Sequence, residues 1–89
     1  MWHNVKMLKD WEFTVHARSM MLERGITEAW VFRTLSEPDR MEEQEDGTIH
    51  YLKRISENRG KVLRVVVNRE VAPPRVVTQF FDRRERGAK

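Results

Sequence analysis

Residues 14–27 read TVHARSMMLERGIT, and this stretch decides how the chain begins its fold. Thr14 is a suitable N-cap for a helix over Val15–Arg24, because its hydroxyl can accept a hydrogen bond from an unpaired backbone N–H of the first turn. Gly25 follows directly, at the position where a left-handed residue commonly ends a helix. Thr27 is a second N-cap. The stretch therefore predicts one helix, its stop and the start of the next.

The second helix is expected to run from Glu28 to about Ser36. Val31 and Leu35 are four residues apart, so both should face the core. Pro38 lies just beyond the predicted end, and the residue before a proline avoids helical dihedral angles.

The second half of the chain has the apolar period of strands. Asp46-Gly47 is a turn dipeptide between two extended runs, which predicts a hairpin. The β-branched run around Val65–Val67 is apolar on both faces and is typical of a central strand. The predicted strands are Arg40–Glu45, Thr48–Ile55, Lys61–Asn68 and Arg75–Phe81.

This order of elements predicts an α+β fold, with two short N-terminal helices packed on one face of a four-stranded antiparallel sheet. We expect one domain over 1–89, with its core at about 13–82 and a flexible basic tail over 83–89. No segment approaches the roughly 20 apolar residues of a membrane span, and the first ten residues do not resemble a signal peptide. A cytoplasmic protein without membrane association is expected.

The chain of 89 residues has 17 Lys and Arg, 14 Asp and Glu and a formal charge of +3. Such a balance indicates nucleic-acid binding only when the cations are clustered, and a surface of mixed charge is the ordinary alternative. The absence of cysteine excludes disulfides, thiolate metal sites and a cysteine nucleophile. The three histidines lack metal-ligand spacing. We therefore expect no metal and no cofactor.

His16 and Arg24 are the residues of the first helix that are able to carry chemistry. The helix dipole disfavours an imidazolium at His16, so its neutral ring is a candidate general base; a half-buried structural histidine is the alternative. Arg24 lies roughly 80° around the helix from His16. It is suited to binding a phosphate through two donors, or to complementing the helix C-terminus.

Strand alternation separates the polar side chains of the sheet into two sets. Tyr51 and Lys53 share a face with core residues. The other face is expected to carry a polar, cationic surface, unless it is the ordinary solvent face of an antiparallel sheet. The residues expected on that surface are His50, Arg54, Arg64 and Thr78 or Gln79.

Trp30 and Phe32 flank the core position Val31 on the second helix, so at least one of these rings should point outward. One interpretation is a contact beneath the N-terminal segment, with Trp2 or Trp11. The other is a partner surface or a homodimer contact.

The run His16-Ala17-x-x-Met20-Met21-x-Glu23-Arg24-Gly25-Ile26-Thr27 resembles the bacterial domain of unknown function 4258 family. The family pattern is H-A-x-x-R-M-x-x-R-G-I-[ST], followed by a proline, a hairpin and strands of the types L-x-V-V-V and V-[IV]-T. The matching features here are Pro38, residues 63–67 and residues 76–78. Met20 stands where the family has arginine, and Trp30 and Phe32 stand where it usually has polar residues.

The family is similar to RelE-type and barnase-type small ribonucleases, several of which are bacterial toxins. The resemblance implies a RelE-like fold and metal-independent RNA cleavage, in which the ribose 2′-hydroxyl attacks the adjacent phosphate. By position, His16 would be the acid or base and Arg24 the phosphate clamp. Supporting RNA contacts are expected from Tyr51, Lys53, Arg54, Arg64 and Thr78.

Three functions follow as hypotheses. The first is a toxin-type endoribonuclease, with RNA as its substrate and a cognate antitoxin as a possible partner. The second is a non-catalytic domain that uses the same scaffold to bind RNA or protein. The third is a regulatory protein that acts as a homodimer.

Overall fold

The computed structural model describes residues 11–86. Two helices lie between a very short first strand and four further strands, and a one-turn 3₁₀ helix over Ser56–Asn58 joins two of these strands. The elements are β1 (Glu12–Phe13), α1 (Val15–Arg24), α2 (Glu28–Ser36), β2 (Arg40–Glu43), β3 (Thr48–Ile55), β4 (Lys61–Asn68) and β5 (Arg75–Arg86).

Local signals set both helices, and the predicted helix bounds are confirmed. The Thr14 hydroxyl accepts a hydrogen bond from the Ala17 backbone N–H at 3.0 Å. The Thr27 hydroxyl accepts one from the Trp30 N–H at 3.1 Å. Gly25 takes the left-handed conformation, with φ of 65°, which a residue with a side chain adopts only at a cost.

The prediction of a four-stranded antiparallel sheet is wrong. The sheet has five strands in the order β1-β5-β4-β3-β2, and β1 runs parallel to β5. The chain passes the edge of β5 before it enters α1, and the backbone N–H groups of Glu12 and Thr14 donate to the carbonyls of Pro74 and Val76, both at 3.0 Å. Two residues are too few to show a strand period, so the sequence did not reveal β1.

The last strand is longer than predicted. It continues past Phe81 to Arg86, and Arg86 pairs with Lys61 at the start of β4. Four residues of the segment expected to be a flexible tail are therefore strand, although they contain no apolar side chain. Residues 87–89 lie outside the described part of the chain.

Both helices contribute to one core on one face of the sheet. Ala17 and Met21 of α1 and Val31 and Leu35 of α2 are buried against inward-facing strand residues. The strand residues of this core are Ile49, Tyr51, Ile55, Leu63, Val65, Val67 and Val76. Neither helix of residues 11–86 is long and apolar enough to cross a membrane.

Candidate functional site

A cleft of about 870 Å³ opens at the end of the sheet where β3 stops and β4 begins. Its walls come from the C-terminus of α1, the β3–β4 connection and the second half of β5. Five cationic side chains line it, and we call it the cationic cleft: Arg24, Arg54, Arg59, Lys61 and Arg83. These residues are spread along the sequence, and the fold brings them to one opening.

Arg24 is positioned by the end of its helix. It is the last residue of α1, and Gly25 turns the chain away directly after it. Its Nη1 donates a hydrogen bond to the Gln79 carbonyl of β5 at 2.9 Å. Its guanidinium carbon lies 6.0 Å from the centre of the Phe80 ring, at the outer limit of a cation–π contact. Arg24 therefore joins the helix to the cleft wall.

The β3–β4 hairpin supplies three of the cations, with Arg54 near the end of β3, Arg59 in the connection and Lys61 at the start of β4. Arg54 lies across Gly60, where a Cβ would come within 2.8 Å of the Arg54 Nε. Gly60 thus leaves the space that the Arg54 side chain uses. Arg59 has a φ of 61°, a left-handed conformation that is uncommon for a residue with a Cβ. This turn places Arg59 beside Lys61 at the cleft.

The charges of the five cations are not neutralised by the described residues. None of the five forms a salt bridge with another residue of 11–86, since the salt bridges of this region use other cations. Two carboxylates also line the cleft, Asp82 and Glu85. Asp82 pairs with Arg64 and Arg84, and Glu85 pairs with Arg40 and Arg64. The cleft therefore keeps an excess of positive charge.

Arg64 lies next to this cleft at the centre of a buried ion-pair network. Its side chain is only 8% exposed, and its Nε donates to the Asp82 Oδ2 at 2.7 Å. Its Nη1 reaches the Glu42 Oε1 at 3.2 Å, and its Nη2 reaches the Glu85 Oε2 at 3.4 Å. Three carboxylates thus surround this one guanidinium. Because they belong to β2 and β5, Arg64 of β4 links the three strands through ion pairs.

His50 belongs to the same network. The Arg64 Nη1 donates to the His50 Nδ1 at 2.8 Å, and since a guanidinium only donates, the imidazole proton must be on Nε2. Burial lowers the pKa of His50, and the nearby charge of Arg64 lowers this pKa further. His50 is thereby kept as a neutral ring of fixed tautomer.

The pKa of Asp82 is also lowered. Burial alone would raise it, but hydrogen bonds from Arg84 and Arg64 outweigh that effect. The hydrogen bond from Arg64 likewise lowers the pKa of Glu42 against a smaller opposing effect of burial. The carboxylates and the Arg64 guanidinium of this network are therefore charged, whereas the His50 imidazole is neutral.

The cleft contains Arg24 and Arg54 of the predicted site residues. His16 is exposed on the first turn of α1, eight residues before Arg24 and thus about 12 Å from it along the helix axis. His16 does not line the cationic cleft. The fold consequently separates the two residues that the resemblance pairs as catalytic.

Apart from Arg54, the strand candidates do not line the cleft. Tyr51 is buried on the helix side, edge-on to Trp11 at a ring distance of 6.0 Å. The Lys53 Nζ donates to the Glu37 carbonyl at 2.8 Å and so complements the C-terminus of α2. Thr78 pairs with Val66 on the open face, whereas Gln79 faces α1 and donates to the Ala17 carbonyl at 2.8 Å.

Trp30 and Phe32 are both half-buried and packed within the chain. The Trp30 ring meets the Phe81 ring edge-on at 5.9 Å, and Phe32 meets Phe13 edge-on at 6.1 Å. The large apolar side chains that are exposed in residues 11–86 are instead Val15, Leu22 and Met41. A role of Trp30 and Phe32 in a partner or homodimer surface stays a prediction.

Sequence reasoning missed Arg59, Lys61 and Arg83 as site residues. Arg59 and Lys61 could have been found, because Arg54, Arg59 and Lys61 lie within eight positions around one predicted turn, which predicts that they cluster at the end of that hairpin. Arg83 was missed because its segment was assigned to a tail. Within residues 11–86, no three His, Asp or Glu side chains are grouped as metal ligands would be.

Residues 13–80 match the model of a family described as a domain of unknown function (DUF4258). The chain belongs to the DUF4258 family. This match covers α1, with His16 and Arg24, and every strand at least in part. No curated protein and no solved structure matches the chain, so a relationship of this DUF4258 protein to RelE-type or barnase-type ribonucleases is not confirmed.

Proposed function

We propose that this DUF4258 protein binds RNA, with the cationic cleft as the site of the phosphate backbone. The observation that carries the proposal is the convergence on one cleft of five cations from α1, the β3–β4 hairpin and β5. None of the five makes a salt bridge with a described residue. Phosphate contacts from Lys and Arg supply most of the affinity of nucleic-acid binding. A cytoplasmic location, where RNA is available as a ligand, is part of the same proposal.

Binding is better supported than cleavage. A ribonuclease needs a proton carrier within hydrogen-bond reach of the reacting phosphate, and His16 lies outside the cleft whereas Arg24 lines it. A toxin-type ribonuclease with a cognate antitoxin stays a hypothesis from the resemblance. Its direct test is cleavage of total RNA by the purified protein, which H16A should abolish.

The binding test uses fluorescence anisotropy with a labelled RNA of about 20 nucleotides at low salt. The variant R54E/K61E reverses two charges of the cleft and should weaken binding by more than tenfold. The matched control is R69E/R75E, which changes the same total charge at the other end of β4 from Lys61, at Arg69 of the β4–β5 connection and at Arg75, the first residue of β5. Both variants should retain the wild-type circular dichroism spectrum.

The control should keep an affinity within about threefold of wild type. Equal losses in both variants would show that net charge rather than the cleft governs binding, which would contradict the proposal. Failure of the wild-type protein to bind at low salt would also overturn it. Equal affinity for DNA of the same sequence would show that the protein does not distinguish RNA from DNA, and the proposed ligand would then be nucleic acid in general.

A further inference from the structure

Phe80 is an unusual aromatic residue in this chain. The other described aromatic rings belong to the core cluster or pack against it, and the neighbouring Phe81 does so through Trp30. Phe80 is half-buried, is absent from that cluster and lines the cationic cleft. Phe81 also lines the cleft, so Phe80 is the cleft ring that is not packed against the core cluster.

Two arginines lie close to this ring. The Arg24 guanidinium carbon lies over it, 6.0 Å from the ring centre, and the Arg24 Nη1 donates to the Gln79 carbonyl. Arg64 pairs with Phe80 across β4 and β5, but its charge is taken up by three carboxylates. The cation next to Phe80 whose charge is not taken up by a described carboxylate is thus Arg24, and the other cleft cations line the same opening. An aromatic platform among cations is the arrangement by which proteins bind single-stranded nucleic acid.

We propose that the cleft takes single-stranded RNA, with an unpaired base stacked on Phe80 and the flanking phosphates on Arg24 and its neighbouring cations. This inference rests on the proposed RNA binding and deepens it. In a duplex the bases cover one another's faces, so a duplex offers phosphates but no free face for the ring. The cleft volume of about 870 Å³ is that of a small-molecule pocket, which suits a short stretch of one strand.

The test compares three labelled ligands of about ten units in anisotropy titrations: single-stranded oligoadenylate, the same ribose-phosphate backbone without bases, and an RNA duplex. The wild-type protein should bind oligoadenylate about tenfold more tightly than the abasic strand. F80A should remove this preference, because stacking on an aromatic ring contributes roughly that factor for each base. Its affinity for the abasic strand should stay within about twofold of wild type.

Two further variants distinguish the loss of the flat ring from a folding defect in F80A. F80L keeps an apolar side chain of similar size without the flat ring and should behave as F80A. F80W keeps a flat ring and should retain the preference for bases. The fluorescence of 2-aminopurine placed in the strand should be quenched on binding to wild type and F80W, but not to F80L.

The outcomes separate this inference from the proposed function. If wild-type protein binds none of the three ligands, RNA binding itself is wrong. If wild type and F80L bind all three with equal affinity and without quenching, the cleft binds phosphates only and base stacking is wrong. A duplex bound more tightly than oligoadenylate would also overturn the single-strand assignment while leaving RNA binding in place.

Discussion

His50 shows how one contact determines the state of a side chain. Its Nδ1 accepts a hydrogen bond from Arg64 at 2.8 Å, and protonation of this nitrogen would destroy the contact. Burial and the Arg64 charge keep the pKa of His50 below its ordinary value of 6.5, although Asp46, Glu42 and Asp82 oppose this shift. The pKa of each of these three carboxyls is itself lowered, so they stay charged near neutral pH.

This state predicts a pH dependence of stability. As the pH falls below about 6.5, His50 of the unfolded chain takes up a proton that the folded chain does not accept. The free energy of unfolding should therefore decrease from pH 7.5 toward pH 5.5, until the lowered pKa of the folded state is passed. Urea unfolding followed by circular dichroism at several pH values measures this change.

The control variants isolate His50. H50Q keeps an oxygen that can accept from Arg64 but does not titrate, so its stability should change less over the same pH range. H16Q removes an exposed imidazole and leaves the Arg64 contact intact, so it should keep the wild-type dependence. An equally steep decline in H50Q would contradict the assignment.

Arg64 also marks the limit of residue-level prediction. Strand alternation correctly placed it with His50 on the face away from the helices, and the family resemblance implied a role in RNA binding. Its three carboxylate partners come from β2 and from the extension of β5. The pairing of those strands brings the carboxylates to Arg64, so its guanidinium forms ion pairs within the protein and is not available to a ligand.

At the scale of elements, the Arg59–Gly60 turn combines backbone strain with a cleft cation. Arg59 has a positive φ, which costs a residue with a Cβ about 1–2 kcal/mol. Glycine removes this cost, but it makes the unfolded chain more flexible, which lowers the free energy of unfolding by about 0.5–1 kcal/mol. R59G should therefore raise the free energy of unfolding by up to about 1 kcal/mol while weakening RNA binding several-fold. Thermal unfolding and anisotropy measure the two effects.

R59A is the matched variant, since it removes the charge but keeps a Cβ at the strained position. It should lose RNA affinity as R59G does, without the gain in stability. A decrease of the melting temperature in R59G would show that the Arg59 side chain stabilises the turn. An unchanged RNA affinity in both variants would show that Arg59 does not bind RNA.

Elements with local signals were predictable, and elements that depend on pairing were not. Thr14, Gly25 and Thr27 act through backbone groups within a few residues, so both helices were predicted at their observed bounds. The strand β1 forms only because β5 offers carbonyls beside it. Likewise β5 extends to Arg86, which pairs with Lys61 of β4, and the sequence around Arg86 has no strand period that predicts this pairing.

At the scale of the whole molecule, the cationic cleft depends on distant parts of the chain. Arg24 and Arg83 are 59 positions apart in number and meet because α1 ends against the edge of β5. The sequence placed Arg24 at a helix end and Arg54 on a strand, both correctly. It could not show that the carboxylates beside them would be paired elsewhere, and that pairing is what leaves the cleft positively charged.

The number of cations in the cleft sets the salt dependence of binding. Each phosphate contact on a single strand lowers the slope of log K against log salt concentration by about 0.7. If all five cleft cations engage phosphates, the slope should be about −3.5. K61Q removes one contact and should bring the slope to about −2.8, whereas R69Q, on the connection after β4, should leave it unchanged. A wild-type slope near zero would mean that RNA is bound without phosphate contacts, and an equal change in both variants would place those contacts outside the cleft.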